Sequence, residues 1–281
     1  MSDPGSASLS AAELQRLSAF LYRQTGMLFG ETKRYYIERR LADRYAATGI
    51  SDFATYFGRL RTDAAERETL VNAFTINETY FYREEHQLAC LSRSLLPELI
   101  TTRQPGDKIR IWSVPCSTGE EAYSIAIWLL ENWRLVDAYH VEIIGSDIDT
   151  RVLEAAREGL YGERALSRLP PGLRDAYFEP ARRHQRRIIQ DLRESVSFSP
   201  ANLIDAASMA VHGVFDVIFC RNVLIYFDEE SRLLAAGNLF DRLAPAGFLC
   251  LGHTESMSRI SQRFDVRRFE DATVFQRPPA T

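Results

Sequence analysis

Several short stretches of this 281-residue chain hold polar side chains where a ligand would meet them: Asn77-Glu-Thr-Tyr-Phe-Tyr-Arg83, Cys116-Ser-Thr-Gly-Glu-Glu121, Gly145-Ser-Asp-Ile-Asp149, Asn202-Leu203, Arg221-Asn222 and Gly252-His-Thr-Glu255. Most follow a short β-branched run, and the carboxyl ends of strands in an α/β sheet are where ligands bind. Asp147 ends such a run, where an acid can accept both hydroxyl hydrogens of a ribose. Asp149 is better placed to cap the helix that follows, which leaves Asp147 for the ribose. Cys116–Gly119 is a turn of small residues that lets a ligand approach the backbone at a helix amino terminus. Glu120 and Glu121 stand at that terminus, where the helix dipole alone would favour them. Glu120, next to Gly119, is the one placed to face a ligand. An asparagine such as Asn202 or Asn222 can satisfy an adenine edge or a ligand carboxylate, and is as often a turn residue. Asn77, Thr79 and Arg83 bring polar ends together without a local reason, although Arg83 beside Glu84 and Glu85 also reads as a surface ion pair of little energetic value.

The elements that must position these groups change character along the chain. Residues 9 to about 85 read as helix throughout. Ser10 with Glu13 forms a capping box, a second helix runs from Glu31 to Ala47 before Gly49, Ser51 caps a third, and Asp63 or Ala64 opens a fourth that continues toward Asn77. At least one of Tyr80, Phe81 and Tyr82 would supply core to its end. From about Lys108, short apolar runs alternate with helical segments: Ile109–Val114, Val141–Ser146, Val214–Cys220 and Phe248–Gly252. Such alternation implies a parallel sheet covered by helices on both faces. Phe264–Glu270 and Ala272–Arg277 read as an antiparallel pair around Asp271. Between Gly159 and Val214 the alternation breaks. There Arg186–Gln190 and Ser195–Ser199 read as strands of an inserted β-subdomain, with a helix over Pro171–Phe178. The expected organisation is a helical domain over 1–85, a linker over 86–106, and an α/β domain over 107–281 with its insertion at about 160–200.

Composition excludes several classes of function. A hydrophobic content of 46% supports a real core, while a net charge of -4 argues against broad nucleic-acid binding. Met1–Ser10 has no basic or apolar region of a leader peptide, and Ile125–Leu130 is too short an apolar run to cross a bilayer. Cys90, Cys116, Cys220 and Cys250 show no CxxC spacing and read as reduced thiols. The histidines form no HExxH or HxH pair, so no metal site is expected. The first strand-to-helix turn is neither GxGxxG nor a GK[ST] loop, which removes the usual nicotinamide and nucleoside-triphosphate readings.

In this order and spacing, the motifs resemble those of the CheR-type chemotaxis receptor methyltransferases, over nearly the whole chain. The resemblance implies a helical domain followed by a Rossmann-like domain with a small antiparallel β-subdomain. Its activity would be methyl transfer from S-adenosylmethionine to receptor glutamates, leaving S-adenosylhomocysteine and needing no metal. It carries cofactor contacts onto Asn77, Thr79, Arg83, Glu120, Asp147, Asn202, Leu203, Arg221 and Asn222, and places Tyr226, with Arg83, at the site of transfer. The implied partner is the acidic methylation helix of a chemoreceptor, and the implied location is the cytoplasm of the cell, with the enzyme a monomer.

Lys33, Arg40 and Arg44 recur at helical spacing on one side of their helix, a basic stripe that would steer such a partner. In one respect the chain departs from the family pattern. Members that hold a receptor's carboxy-terminal pentapeptide use a longer, glycine-rich turn in the β-subdomain. Here the turn is Ala181-Arg-Arg-His-Gln-Arg-Arg187, so no tether is expected. Other functions stay open to the sequence: a non-catalytic module that senses S-adenosylmethionine or S-adenosylhomocysteine, and a methyltransferase for another protein carboxylate.

Overall fold

The computed structural model describes residues 8–280; Met1–Ala7, within the stretch read as lacking a leader, lie outside the described residues. The chain forms two compact units. One runs to Ile76 and includes Tyr226–Ser231; the other takes in Asn77–Ile225 and the chain from Arg232 onward.

The first unit is helical. Helix α1 (Ala11–Thr25) opens on the expected capping box, Ser10 Oγ accepting from Glu13 N while the Glu13 carboxylate accepts from Ser10 N. It closes on Gly26 at φ 72°, a left-handed position that glycine takes without a Cβ penalty. Leu14, Leu17 and Leu21 form its buried stripe. Helix α2 (Arg34–Thr48) begins later than expected, because Glu31–Lys33 is wound into a 3-10 turn. Helix α3 (Phe53–Thr62) is capped by Asp52 rather than Ser51, its carboxylate accepting from Thr55 N at 2.9 Å. Asp63 caps α4 (Ala64–Ala73) in the same way through Glu66 N.

The expected helix to residue 85 is corrected: α4 stops at Ala73, and residues 75–84 are irregular. The segment expected as a linker over 86–106 is helical through Thr102. Helix α5 (Glu85–Cys90), a π turn (Leu91–Leu95) and α6 (Leu96–Leu99) follow one another without a break. Leu88, Leu91, Leu95 and Leu96 are buried in the core of the second unit. Glu85, Arg93 and Glu98 between them give the segment a polar look, but its apolar residues recur at helical spacing.

The second unit is built on a seven-stranded sheet. Along the chain come β1 (Lys108–Ser113), α7 (Glu120–Asn132), β2 (His140–Asp147), α8 (Thr150–Glu158), β3 (Leu160–Gly162), α9 (Glu163–Leu166), α10 (Pro171–Tyr177), β4 (Gln185–Arg187), α11 (Gln190–Glu194) and β5 (Val196–Pro200). Then follow α12 (Ala206–Ala210), β6 (Phe215–Cys220), α13 (Glu229–Arg242), β7 (Leu243–Leu251), β8 (Asp265–Arg268) and β9 (Thr273–Gln276). The sheet order is β5-β2-β1-β6-β7-β9-β8, the first five strands parallel and the last two added antiparallel. Every residue of β6 is buried, as expected of a central parallel strand covered on both faces.

The inserted β-subdomain is smaller than expected. Its two strands are β3 and β4, paired from Leu160↔Arg187 to Gly162↔Gln185. Ser195–Ser199 is not part of it: that run falls on β5, which pairs with β2 at the edge of the main sheet. Two reciprocal backbone bonds between Arg182 and Gln185 close the turn before β4. Arg183 and His184 within it sit at φ 51° and 63°, the pattern of a two-residue type I′ turn.

Candidate active site

Strand order reverses in direction between β1 and β6, so a crevice is expected beyond their carboxyl ends. The register brings Ser113 level with Gly145 of β2 and Phe219 of β6. The loops leaving these ends carry most of the polar residues singled out from the sequence. Tyr82, Glu84, Ser117 and Asn222 all hold a left-handed backbone, at φ 59°, 55°, 48° and 59°. For residues other than glycine this conformation costs about 1 kcal/mol or more and gathers at functional sites.

Asp147, at the end of β2, is buried. One carboxylate oxygen accepts from Ser117 N and the other from Asp149 N, both at 2.9 Å. A carboxylate has about four acceptor positions, so each oxygen retains one. Burial pushes its pKa up to about 6, against the lowering effect of the Asp149 and Ser117 amides. Asp149 caps α8 as expected, accepting from Arg151 N, and also accepts from Asn77 Nδ2 at 3.2 Å.

Glu120 is buried at the start of α7 and accepts from Thr118 Oγ1 at 2.6 Å. Burial raises its pKa to about 7, only partly opposed by that bond. The turn before it admits no larger residue than Gly119, which lies at φ 93°; a Cβ there would meet Ala156 Cβ at 2.9 Å and Phe198 at 3.1 Å. Ser117 Oγ is buried without a hydrogen-bond partner. An orphaned hydroxyl beside two inward carboxylates is a site prepared for a polar ligand, and the carboxylates favour one with positive charge.

Arg221 departs from its expected role. Its side chain is only 3% exposed and pairs with Glu121 at 2.8 Å and Glu84 at 3.3 Å. It also donates to the Arg83 carbonyl at 2.6 Å. The guanidinium is therefore an internal strut between the β6 end and the loop at Arg83, with its Nε left without a hydrogen-bond partner. Burial would raise the Glu84 pKa, but the Arg221 charge together with the hydrogen bonds from His253 and Asn222 outweighs this and leaves it lowered. Glu121 further accepts from Ser113 Oγ, so Glu121 is committed to the frame.

Asn202 Oδ1 accepts from Ile204 N, a turn role, and Leu203 O accepts from Asn238 Nδ2. Thr79 and Arg83 are half-buried. Arg83 donates to Glu78 O and lies 5.7 Å from the Tyr80 ring. Phe81 and Tyr82, expected to be core of the fourth helix, are core of the second unit instead. Tyr226 ends a 3-10 turn, Leu224–Tyr226, is 37% exposed, and groups with the helical unit. A cavity of about 230 Å³ beside the β7 end is lined by His86, Gln87, His253 and Ser256 among others, and by none of the residues expected to hold a cofactor.

The chain matches two family descriptions, "CheR methyltransferase, all-alpha domain" over residues 12–75 and "CheR methyltransferase, SAM binding domain" over residues 77–273. The chain belongs to the CheR methyltransferase family. Chemotaxis protein methyltransferase 2 of Vibrio cholerae is 43% identical over 94% of this chain and 92% of its own length. The chemotaxis protein methyltransferase of Escherichia coli is 35% identical over 92% and 89%, and chemotaxis protein methyltransferase 2 of Pseudomonas aeruginosa is 36% identical over 89% and 88%. This CheR-family chain is thus a methyltransferase of chemotaxis that uses S-adenosylmethionine. Among the described residues no cluster of His, Cys, Asp and Glu could hold a metal, and no helix is long and apolar enough to cross a membrane.

On the helical unit, Arg44 does not project into the basic stripe. It forms a two-point pair with buried Glu66, at 2.9 and 2.7 Å, and Tyr56 donates to the same carboxylate. Burial raises the Glu66 pKa, and the bonds from Arg44 and Tyr56 outweigh it, leaving the carboxylate lowered. Lys33 is exposed, and Arg40 lies over the Tyr36 ring at 5.2 Å.

Proposed function

We propose that this enzyme methylates glutamate side chains on the cytoplasmic methylation helices of chemoreceptors, forming glutamyl methyl esters. The observation that supports this most is the chemistry of the crevice: Glu120, Asp147 and the orphaned Ser117 hydroxyl suit the binding of a polar, positively charged methyl donor. S-adenosylmethionine supplies an electrophilic methyl group. A glutamate acceptor is already ionised at neutral pH and needs no base. The enzyme then has to orient the two and exclude water, which can supply much of the acceleration.

In this reading Asp147 holds the ribose, and Glu120 lies beside the cofactor's positive charge. Asn77, Thr79, Asn202, Leu203, Asn222 and the main chain at Arg221 complete the cofactor contacts. Arg83 orients a carboxylate rather than clamping it, because a tight pair with the nucleophile would stabilise the ground state. Tyr226 hydrogen-bonds at the point of transfer. Lys33 and Arg40 steer the acidic receptor helix; Arg44 supports them from behind through Glu66.

The enzyme acts in the cytoplasm as a monomer, without binding nucleic acid, and without a receptor pentapeptide tether. Tethering by strand addition needs close backbone approach, and the I′ turn here presents Arg183 and His184 instead of glycine. Arg186 pairs with Asp175 and Arg187 with Glu158, so Arg182 and Arg183 remain as the charged face. The test is a receptor whose methylation-helix glutamates are all replaced by alanine. It should accept no labelled methyl, whereas the wild-type receptor does; undiminished labelling would place the acceptor elsewhere.

A further inference from the structure

The end of β7 carries a carboxylate that the reaction itself does not call for. Glu255 accepts four main-chain N–H groups: Oε1 from Val223 at 3.0 Å and Leu224 at 2.8 Å, Oε2 from Asn222 at 2.7 Å and Gly252 at 2.9 Å. Its acceptor capacity is therefore filled, and it has nothing left for a ligand. Three of the donors are successive residues of the loop leaving β6, and the fourth lies at the end of β7. One side chain thus binds two neighbouring strand-end loops together. Asn222 is held within this clamp at φ 59°. Gly252 is pressed against it: a Cβ at Gly252 would stand 2.7 Å from Asn222 Nδ2 and 2.8 Å from Glu255 Oε2.

We propose that Glu255 is a positioning residue for methyl transfer, which fixes the loop after β6 and with it the left-handed backbone that sets the place of Asn222. This rests on the reading of Asn222 as a cofactor contact. Carboxylate bonds to backbone N–H groups are charge-assisted and about twice as strong as neutral ones, so the clamp can hold a left-handed asparagine that the loop alone would not fix. A glutamine at 255 keeps one acceptor oxygen but turns its NH2 against two N–H donors. An aspartate keeps the charge but is one methylene short of spanning both loops.

The test is a double-mutant cycle on the full chain, with S-adenosylhomocysteine affinity read by calorimetry. The variants are Glu255→Gln, Glu255→Asp and Asn222→Ala, alone and combined. Either Glu255 variant should weaken binding by about tenfold or more, as loss of charge-assisted bonds implies. In the Asn222→Ala background the same changes should cost little, because Glu255 acts through Asn222. Thermal unfolding of each variant shows which are folded, and the aspartate serves if the glutamine variant does not accumulate. Additive losses would make Glu255 a general structural residue and overturn the proposal. Unchanged affinity in Asn222→Ala alone would instead overturn the reading of Asn222 on which it rests.

Discussion

The affinity of this enzyme for its cofactor should fall as the pH is lowered through 6, and Asp147 should be the cause. Its pKa stands at about 6 instead of the ordinary 3.8, because the carboxylate is buried. That rise corresponds to about 3 kcal/mol favouring the protonated form in the free protein. Since the folded value is the higher one, the stabilisation is complete below about pH 4 and is lost as the pH climbs through 6. Glu120, raised from 4.5 to about 7, acts in the same direction. Binding reverses the sign: ribose hydroxyls donate to the ionised carboxylate, so the cofactor selects the charged form. At pH 5 affinity should be about tenfold below its plateau from Asp147 alone. Asp147→Asn keeps one acceptor but sets its NH2 against the N–H of Ser117 or Asp149, each now 2.9 Å away. That variant should bind about 1–3 kcal/mol more weakly and lose the component near pH 6, while Glu120→Gln removes the one near 7. Calorimetry with S-adenosylhomocysteine in two buffers of different ionisation enthalpy measures both affinity and protons released. A folded Asp147→Asn protein with wild-type affinity and an unchanged pH profile would refute the ribose assignment.

Other perturbations separate the remaining roles. Tyr226→Phe should lower turnover more than cofactor affinity; equal losses would make Tyr226 a binding or packing residue. Lys33→Ala with Arg40→Ala should raise the receptor KM and flatten its salt dependence, with no change in cofactor affinity, and the effect should shrink as salt screens the charges; wild-type receptor kinetics at low salt would show only a solvated face. Arg44→Ala should act differently, lowering stability by about 3 kcal/mol because it leaves Glu66 buried and unpaired; a denaturation midpoint equal to wild type would contradict this. A receptor carboxy-terminal pentapeptide should give no heat on titration, and micromolar binding abolished by deleting residues 181–187 would show that the tether exists.

Local signals in the sequence were legible because they are physical within a few residues. The Ser10–Glu13 box, the Asp149 cap and the apolar runs of β1, β2, β6 and β7 each depend on near neighbours or on strand burial. The places of Glu120 at a helix start and Asp147 at a strand end follow from the same strand–turn–helix pattern. What was hidden depends on partners far away in the chain. Arg221 meets Glu121 from a hundred residues away and Glu84 from farther still, so nothing near it marks it as an internal strut. Arg44 has the spacing of a surface stripe, and only α4 supplies the Glu66 that draws it inward. Tyr80–Glu85 has the composition of a helix end, yet tertiary contacts hold Tyr82 and Glu84 left-handed. Glu255 stood in a recognised motif, but its four N–H partners come from two separate strand ends.

The proposed reaction passes a methyl group to a receptor glutamate as an ester. The most direct measurement incubates purified enzyme with receptor and isotopically labelled S-adenosylmethionine and locates the label by mass spectrometry before and after mild alkali. Labelled methyl is expected on glutamate side chains of the methylation helix, released by alkali as methanol. Label that survives alkali, or that lies on a nitrogen, would contradict it.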